Sequence, residues 1–374
     1  MSVINELSTY VNLIDDLREE VTDERLSALA DEQIQHWINR AQERVSDLVQ
    51  VKEEWILRLK VGVTKYPVQD RPVITNATNA TPIVVTSTAH GLSDDNRVTI
   101  RGVLGNVAAN GRFQLKNTQA NSMELNLFAD ITNASNDSVI IITTAVAYPF
   151  ASGSTVTISG VTGNTAANGT FLITALTTTT FSIPASGNGA YISGGLVLQQ
   201  AAGSAVYTAG GRLWKDDELP VFLKDVRKGQ RTWSNTFNPI IETRDMDWMI
   251  DQIQQDSAVQ LYYTDYGSPK FGSFGEVGGA RYYLVYPAAT YAQDATLFGS
   301  IRVVARLYDQ DPLTTTLILP SNYDDVLKIY TKMKIFEWLK DGQARADALT
   351  EFNGAINQLR LRIPSHPRIR ITYT

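Results

Sequence analysis

The chain has 374 residues, 43% of them hydrophobic and 19% charged, with a net charge of -6 and no cysteine. That length exceeds one ordinary core and predicts two or three domains. The acidic balance argues against a surface built to neutralise phosphates, and the lack of cysteine excludes a disulfide framework, a thiolate nucleophile and a thiolate metal cage.

The N-terminus predicts an amphipathic helix, with Leu7, Tyr10, Val11, Ile14 and Leu17 at helical spacing. It lacks the basic and apolar regions of a signal peptide, so synthesis and residence in the cytoplasm are expected. Ile34, Ile38, Ala41, Val45, Leu48, Trp55 and Leu59 predict a long second helix after an Asp31 N-cap.

The character then changes. Residues 75–205 hold nine charged side chains, Asp94, Asp95, Arg97, Arg101, Arg112, Lys116, Glu124, Asp130 and Asp137, and residues 138–211 hold no Asp, Glu, Lys, Arg or His at all. Ser, Thr, Gly, Asn and Pro interrupt this stretch too often for the roughly 18 apolar residues of a membrane span. Its apolar period is two: Val98 and Ile100 alternate with polar neighbours, as do Val156 and Ile158, which predicts strands. The phrase GVLGNVAANGRF at 102–113 returns as GVTGNTAANGTF at 160–171, and ITNATNATPIVVT at 74–86 returns as ITNASNDSVIIIT at 131–143. The Gly-Asn and Asn-Gly pairs favour tight turns, and Phe113 with Leu115, echoed by Phe171 with Ile173, begins a further strand. An all-β unit is therefore duplicated, each copy closing its own small barrel or sandwich.

Residues 212–310 are rich in aromatics and turns, and SIRVVARLY at 300–308 predicts a buried strand. Residues 319–342 predict a helix with Ser321 as N-cap, Asp324 at the third helical position and Gly342 as terminator. A last helix runs to about Arg360, followed by an extended tail in which Arg alternates with apolar residues. The expected fold is α+β: a helical domain with a β-rich portion, interrupted by two tandem small all-β insertions. The boundaries are 1–72 for its first part, 73–131 and 132–205 for the insertions, and 206–374 for its second part, with a C-terminal extension at 361–374.

Signals for catalysis are weak. His36, His90 and His366 are scattered without paired spacing, and no nucleophile elbow, phosphate loop or dinucleotide fingerprint is present; GGRLWK at 210–215 is a glycine turn. The acidic pairs Asp15-Asp16, Asp216-Asp217 and Asp324-Asp325 have the chemistry of a glycosidase, but solvated and helix-capping roles account for them. Tyr262, Tyr263, Tyr266, Phe271, Phe274, Tyr282, Tyr283 and Tyr286 have only Lys270 and Arg281 among them, which fits a buried or intersubunit cluster better than a nucleic-acid stacking platform. The sequons at Asn76, Asn79, Asn133, Asn136 and Asn168 carry little meaning without a secretory signal. No cofactor and no metal is expected, and the chain is not expected to be an enzyme.

The flanking segments carry GVTKYP at 62–67, ELPVFL at 218–223, LVYPAA at 284–289 and ILPSNYDDVLKIYTKMKIFEWL at 318–339. In this order, after a helix pair, they resemble the head-to-tail adaptor proteins of tailed bacteriophages, over residues 1–72 and 206–374. The resemblance implies a structural virion protein of the neck or tail, made in the host cytoplasm. It implies a ring of twelve copies seated between the portal protein and a nozzle or tube protein of the tail, with DNA passing through the lumen and no membrane contact. It also implies a C-terminal extension that docks into portal grooves, which here falls on Arg360, Arg362, Arg368, Arg370 and Tyr373. The duplicated units are similar to repeats of phage tail and baseplate proteins likened to a half-domain of ubiquitin-activating enzymes, a likeness of fold only. Adaptors typically lack such insertions. As arms projecting outward they are expected to contact capsid, fibres or neighbouring subunits. Two other functions stay open: an adhesin that binds host glycan through the β repeats, and a cell-wall hydrolase.

Overall fold

A computed structural model describes residues 7–231, 240–243, 269, 271–289 and 292–362. The chain begins with helices α1 (Tyr10–Glu20) and α2 (Asp31–Leu48), then strands β1 (Lys52–Leu59) and β2 (Lys65–Pro67). Twelve strands follow: β3 (Asn76–Ala77), β4 (Val84–Thr86), β5 (Arg97–Arg101), β6 (Gly111–Lys116), β7 (Ser122–Ala134), β8 (Ile140–Thr144), β9 (Thr155–Ser159), β10 (Gly169–Leu172), β11 (Thr174–Ala175), β12 (Thr180–Ile183), β13 (Leu196–Gln200) and β14 (Arg212–Lys215). Strands β15 (Leu223–Arg231), β16 (Ile240–Thr243), β17 (Phe271–Val277), β18 (Ala280–Tyr286) and β19 (Gln293–Ile301) precede helices α3 (Asp324–Leu339) and α4 (Gly342–Arg362). The protein is α+β, and it divides into two compact units, Met1–Gln69 with Asp217–Thr374, and Asp70–Asp216.

The first unit joins the two ends of the chain. Its sheet runs β1-β19-β15-β16-β17-β18-β2, so that strands before and after the interruption pair directly; Trp55 faces Leu297 and Leu57 faces Ala295. Helix α1 is capped by Thr9, whose Oγ1 accepts from Asn12 N, and it buries Tyr10, Leu13, Ile14 and Leu17. Helix α2 buries an apolar stripe of Ile34, Ile38, Ala41 and Val45 together with Gln35, Asn39, Gln42 and Ser46. Those polar groups stitch the N-terminal segment to the C-terminal one. Gln42 Oε1 accepts from Ile318 N at 2.9 Å and Leu319 N at 3.2 Å, and Ser46 Oγ accepts from Val303 N at 3.0 Å. Gln35 Nε2 donates to Asp311 O at 2.7 Å. Each buried amide thereby recovers the hydrogen bonds it loses with water.

The structure corrects several local expectations. The long second helix stops at Leu48, and Trp55 and Leu59 lie on β1, where the period turns from helical to two: Trp55, Leu57 and Leu59 are buried. Asp31 is the first helical residue and Ala30 the cap. Asp324 opens α3 after a short 3-10 turn at Ser321–Tyr323 rather than standing third in it. Helix α3 terminates on Lys340, at φ 62, and Gly342 begins α4. In SIRVVARLY only the first residues belong to a strand; Ala305–Leu307 forms a 3-10 turn. The last helix, expected to end at about Arg360, runs to Arg362, and the rest of the tail expected to be extended lies outside the described residues.

The second unit holds the duplication, but not as two units in tandem. One core contains Ile74, Ile83, Val98, Ile100, Phe113, Leu115, Met123 and Leu125 together with Ala201 and Leu213. The other contains Ile131, Ile140, Ile142, Val156, Ile158, Ile173, Phe181, Ile183 and Val197. The second repeat is thus contiguous and sits inside the first, whose last strand arrives only after the second is complete. We call them the inner and outer repeats. Their ladders match: β3-β4-β7-β6-β5-β14 in the outer, and β7-β8-β12-β11 with β10-β9-β13 in the inner. Strand β7, thirteen residues long, serves both, its first half in the outer core and its second in the inner. The expected junctions at 72/73 and 205/206 therefore move to 69/70 and 216/217, because the outer core needs residues 201–213 to close.

Candidate functional site

The residues with chemistry to offer in the first unit are mostly engaged in holding it together. Lys328 on α3 reaches Asp16 at 3.3 Å and Glu20 at 3.4 Å on α1, and Lys332 also pairs with Glu20. The Lys332 contact holds the Glu20 carboxyl below its usual range. Asp324 sits at the N-terminus of α3 and accepts a hydrogen bond from Ser8 Oγ; burial pushes its carboxyl up, while the Ser8 bond pulls the other way. Asp217 pairs with Lys60, and Asp216, the last residue of the second unit, is buried. Burial raises the Tyr66 hydroxyl to about 12; it accepts from Lys60 N at 2.8 Å and fixes the turn between β1 and β2. His36 Nδ1 lies 3.1 Å from Asp309. Among the described residues no group of three or more His, Cys, Asp or Glu is arranged to hold a metal ion, and no helix is long and apolar enough to cross a membrane.

Of the aromatic cluster, Phe274 and Tyr283 meet edge to face at 5.2 Å, and the Arg281 guanidinium lies 4.4 Å over the Phe274 ring while donating to the carbonyls of Val221 and Leu223. Tyr262, Tyr263, Tyr266 and Lys270 lie outside the described residues.

The expected docking residues divide. Arg360 is exposed, yet its Nε donates to the carbonyl of Leu48 at 3.1 Å, at the C-terminal end of α2, where a cation suits the unsatisfied carbonyls. Arg362 is the last residue of α4, and Arg368, Arg370 and Tyr373, with His366, lie outside the described residues.

In the second unit the repeated phrase is a closing device. Asn106 Nδ2 donates to Thr78 O at 2.9 Å, and its Oδ1 accepts from Ser204 N at 3.0 Å. Asn164 does the same with Ser135 O at 2.7 Å and Asn188 N at 3.1 Å. Asn110 bonds both the N–H and the carbonyl of Val103, as Asn168 does with Val161. A strap then crosses each phrase. It reads GSAVYTAGG at 203–211 and GNGAYISGG at 187–195. Its Tyr207 donates to Ile74 O and Gly210 O, and Tyr191 donates to Ile131 O and Gly194 O. The strap passes so close that a Cβ on Gly105 would stand 2.1 Å from Val206 O, and one on Gly163 2.0 Å from Ala190 O. The strap pair, spaced by 16 residues rather than 58, is the sequence signal of nesting.

What differs between the repeats is charge. At matched positions 58 apart, Asp94, Asp95, Arg97, Arg101, Arg112, Lys116 and Glu124 of the outer repeat become Ser152, Gly153, Thr155, Ser159, Thr170, Thr174 and Ser182 of the inner. Arg97 is bidentate to Asp130, at 2.9 and 2.5 Å, and stacks 4.4 Å over Phe128, while Thr99, Gln114, Asn126 and Trp214 are buried. Their inner counterparts are open. On β9, Thr155, Thr157 and Ser159 are exposed, as are Thr170 and Leu172 on β10; Leu196 and Leu198 on β13 are half-buried. Leu198 pairs with Thr157 and Thr157 with Thr170, whose hydroxyls lie 3.2 Å apart; Leu196 pairs with Ser159 and Leu172 with Thr155. This three-strand face offers hydroxyls and leucines and no charge. Compared with known proteins, the sequence matches no family model and no curated protein.

Proposed function

We propose that this protein is a head-to-tail adaptor of a tailed-phage virion: a ring of copies between the portal protein and a tail nozzle or tube protein, with DNA passing through, and with the nested β repeats as peripheral arms. The observation that carries this reading is the first unit. The segments bearing the adaptor-like motifs, from both ends of the chain, form one sheet and one helix set, and the β repeats that interrupt them in sequence form a sheet and a compact unit of their own. An insertion of that kind is tolerated where the host fold has an exposed turn to spare. The acidic charge suits a lumen over which DNA slides without releasing counterions.

Mass measurement of the purified chain, alone and mixed with portal protein, tests it. Rings or a stoichiometric portal complex are expected; a chain that stays monomeric and ignores the portal sinks the proposal. Removing 361–374 is expected to abolish portal binding while α4 and the core of the first unit persist. A second reading, an adhesin for host glycan, draws on the uncharged hydroxyl face of the inner repeat; glycan binding by a monomer would favour it.

A further inference from the structure

We propose that the β10-β9-β13 face of the inner repeat binds the same face of a second copy of this chain. The inference goes beyond the adaptor reading and does not require it. Two repeats of one fold supply the reasoning. The outer repeat carries charges at seven positions where the inner carries Ser, Thr or Gly, so the fold itself does not demand neutrality there. Neutrality is a property of the inner surface. Depletion of charge is what distinguishes the buried centre of a protein interface from ordinary surface. Leu172, 60% exposed, takes the place of buried Gln114.

Charge also selects the occupant. Two copies of a chain with net charge -6 repel, and they approach at least cost where neither presents a charge. A partner with a charged surface would have to leave those charges buried and unpaired against this face. A second copy of the face brings none. Hydroxyls are donors and acceptors at once, so rows of Thr155, Thr157, Ser159 and Thr170 meet their own image in a two-fold contact without a complementary set elsewhere. Leu172, Leu196 and Leu198 supply the apolar part.

The chain has no cysteine, so a single introduced thiol reports on one place. Thr157→Cys in the full chain, treated with a bismaleimide, is expected to give crosslinked dimers whose yield at high salt is no lower than at low salt, because salt screens the repulsion between the acidic copies and takes nothing from an uncharged contact. Lys116→Cys, on the outer repeat, is expected to give none. Adding Thr155→Arg, Ser159→Arg and Thr170→Arg to the Thr157→Cys chain is expected to remove the dimers without moving the thermal midpoint, because the outer repeat already carries Arg97, Arg101 and Arg112 in this fold. Absence of dimers at 157, equal crosslinking at 116, or dimers that survive the three arginines would each overturn the proposal. So would glycan binding that the arginines abolish in a chain that never crosslinks. Rings that form without crosslinking at 157 would overturn this inference and leave the adaptor reading standing; face dimers in a chain that forms no ring would do the reverse.

Discussion

The outer and inner repeats share a ladder, a pair of asparagine clamps and a strap, yet one closes from Ile74 to Leu213 around the other, which is continuous. Their difference separates what the fold requires from what the surface is free to be. The buried amides, the tyrosine of the strap and the glycine beneath it persist in both copies, because each satisfies a backbone group or clears a close approach. The charges persist in neither pairing nor position. Even a buried imidazole is exchanged: His90 Nε2 contacts Gln119 O at 2.8 Å, and at the matched place Tyr148 donates to Thr177 O at 2.8 Å.

The sharpest way to break this comparison is to take one repeat away. Phe128 pairs with Leu198 across β7 and β13, so replacing 129–197 with an Asn-Gly turn joins two strands already in hairpin register. The outer repeat is expected to melt cooperatively without its guest. Replacing 203–211 with a flexible linker is expected to unfold the outer repeat and leave the inner one standing, read by amide hydrogen exchange. Next in size, Gly105→Ala and Gly163→Ala each drive a Cβ into a strap carbonyl and are expected to cost more than about 3 kcal/mol in denaturant titration, each in its own repeat. Asn106→Ala and Asn164→Ala leave buried carbonyls and amides without partners and are expected to cost about 1–3 kcal/mol each.

Acid is expected to distinguish the repeats more gently. Burial holds the His90 imidazole below its ordinary value of 6.5, and Nδ1 accepts from Leu92 N, so the folded state favours the neutral ring. The unfolded chain takes up the proton first as pH falls below about 6.5. The stability that His90 contributes is therefore full above that value and is lost as pH drops through its folded one. The outer repeat should weaken in mild acid and the inner should not; His90→Tyr should remove the difference in paired thermal melts. Smallest of all, Thr157→Val deletes an exposed hydroxyl pair and is expected to shift stability by less than about 0.5 kcal/mol.

Much of this was legible in the sequence. The fall in charge marked the inserted unit, and the period of two in Val98, Ile100, Val156 and Ile158 marked its strands. Helix α1 and the apolar stripe of α2 followed from spacing alone. Trp55 and Leu59 misled because they also continue the helical spacing of α2, and only pairing with β19 decides for a strand. Gly342 looked like a terminator, but Lys340 takes the left-handed position two residues earlier. Nesting is hidden from a fixed offset of 58 residues, because the strap of the outer repeat lies on the far side of the inner one, only 16 residues after its counterpart. The neutral face needed strand register, which places Leu198, Thr157 and Thr170 in one row.

A ribosome meets the nested plan in a fixed sequence. The inner repeat is the first part of the midsection with all its strands in hand, since Val197 emerges before Ala201 and Leu213. The outer repeat must wait for Leu213, and α2 must wait for Val303, 257 residues after Ser46, and for Ile318, 276 residues after Gln42, to supply donors to its buried polar side chains. Helix α2 thus emerges early with the acceptor oxygens of Gln42 and Ser46 still without the backbone donors of Ile318, Leu319 and Val303, and its final docking is among the last events of synthesis.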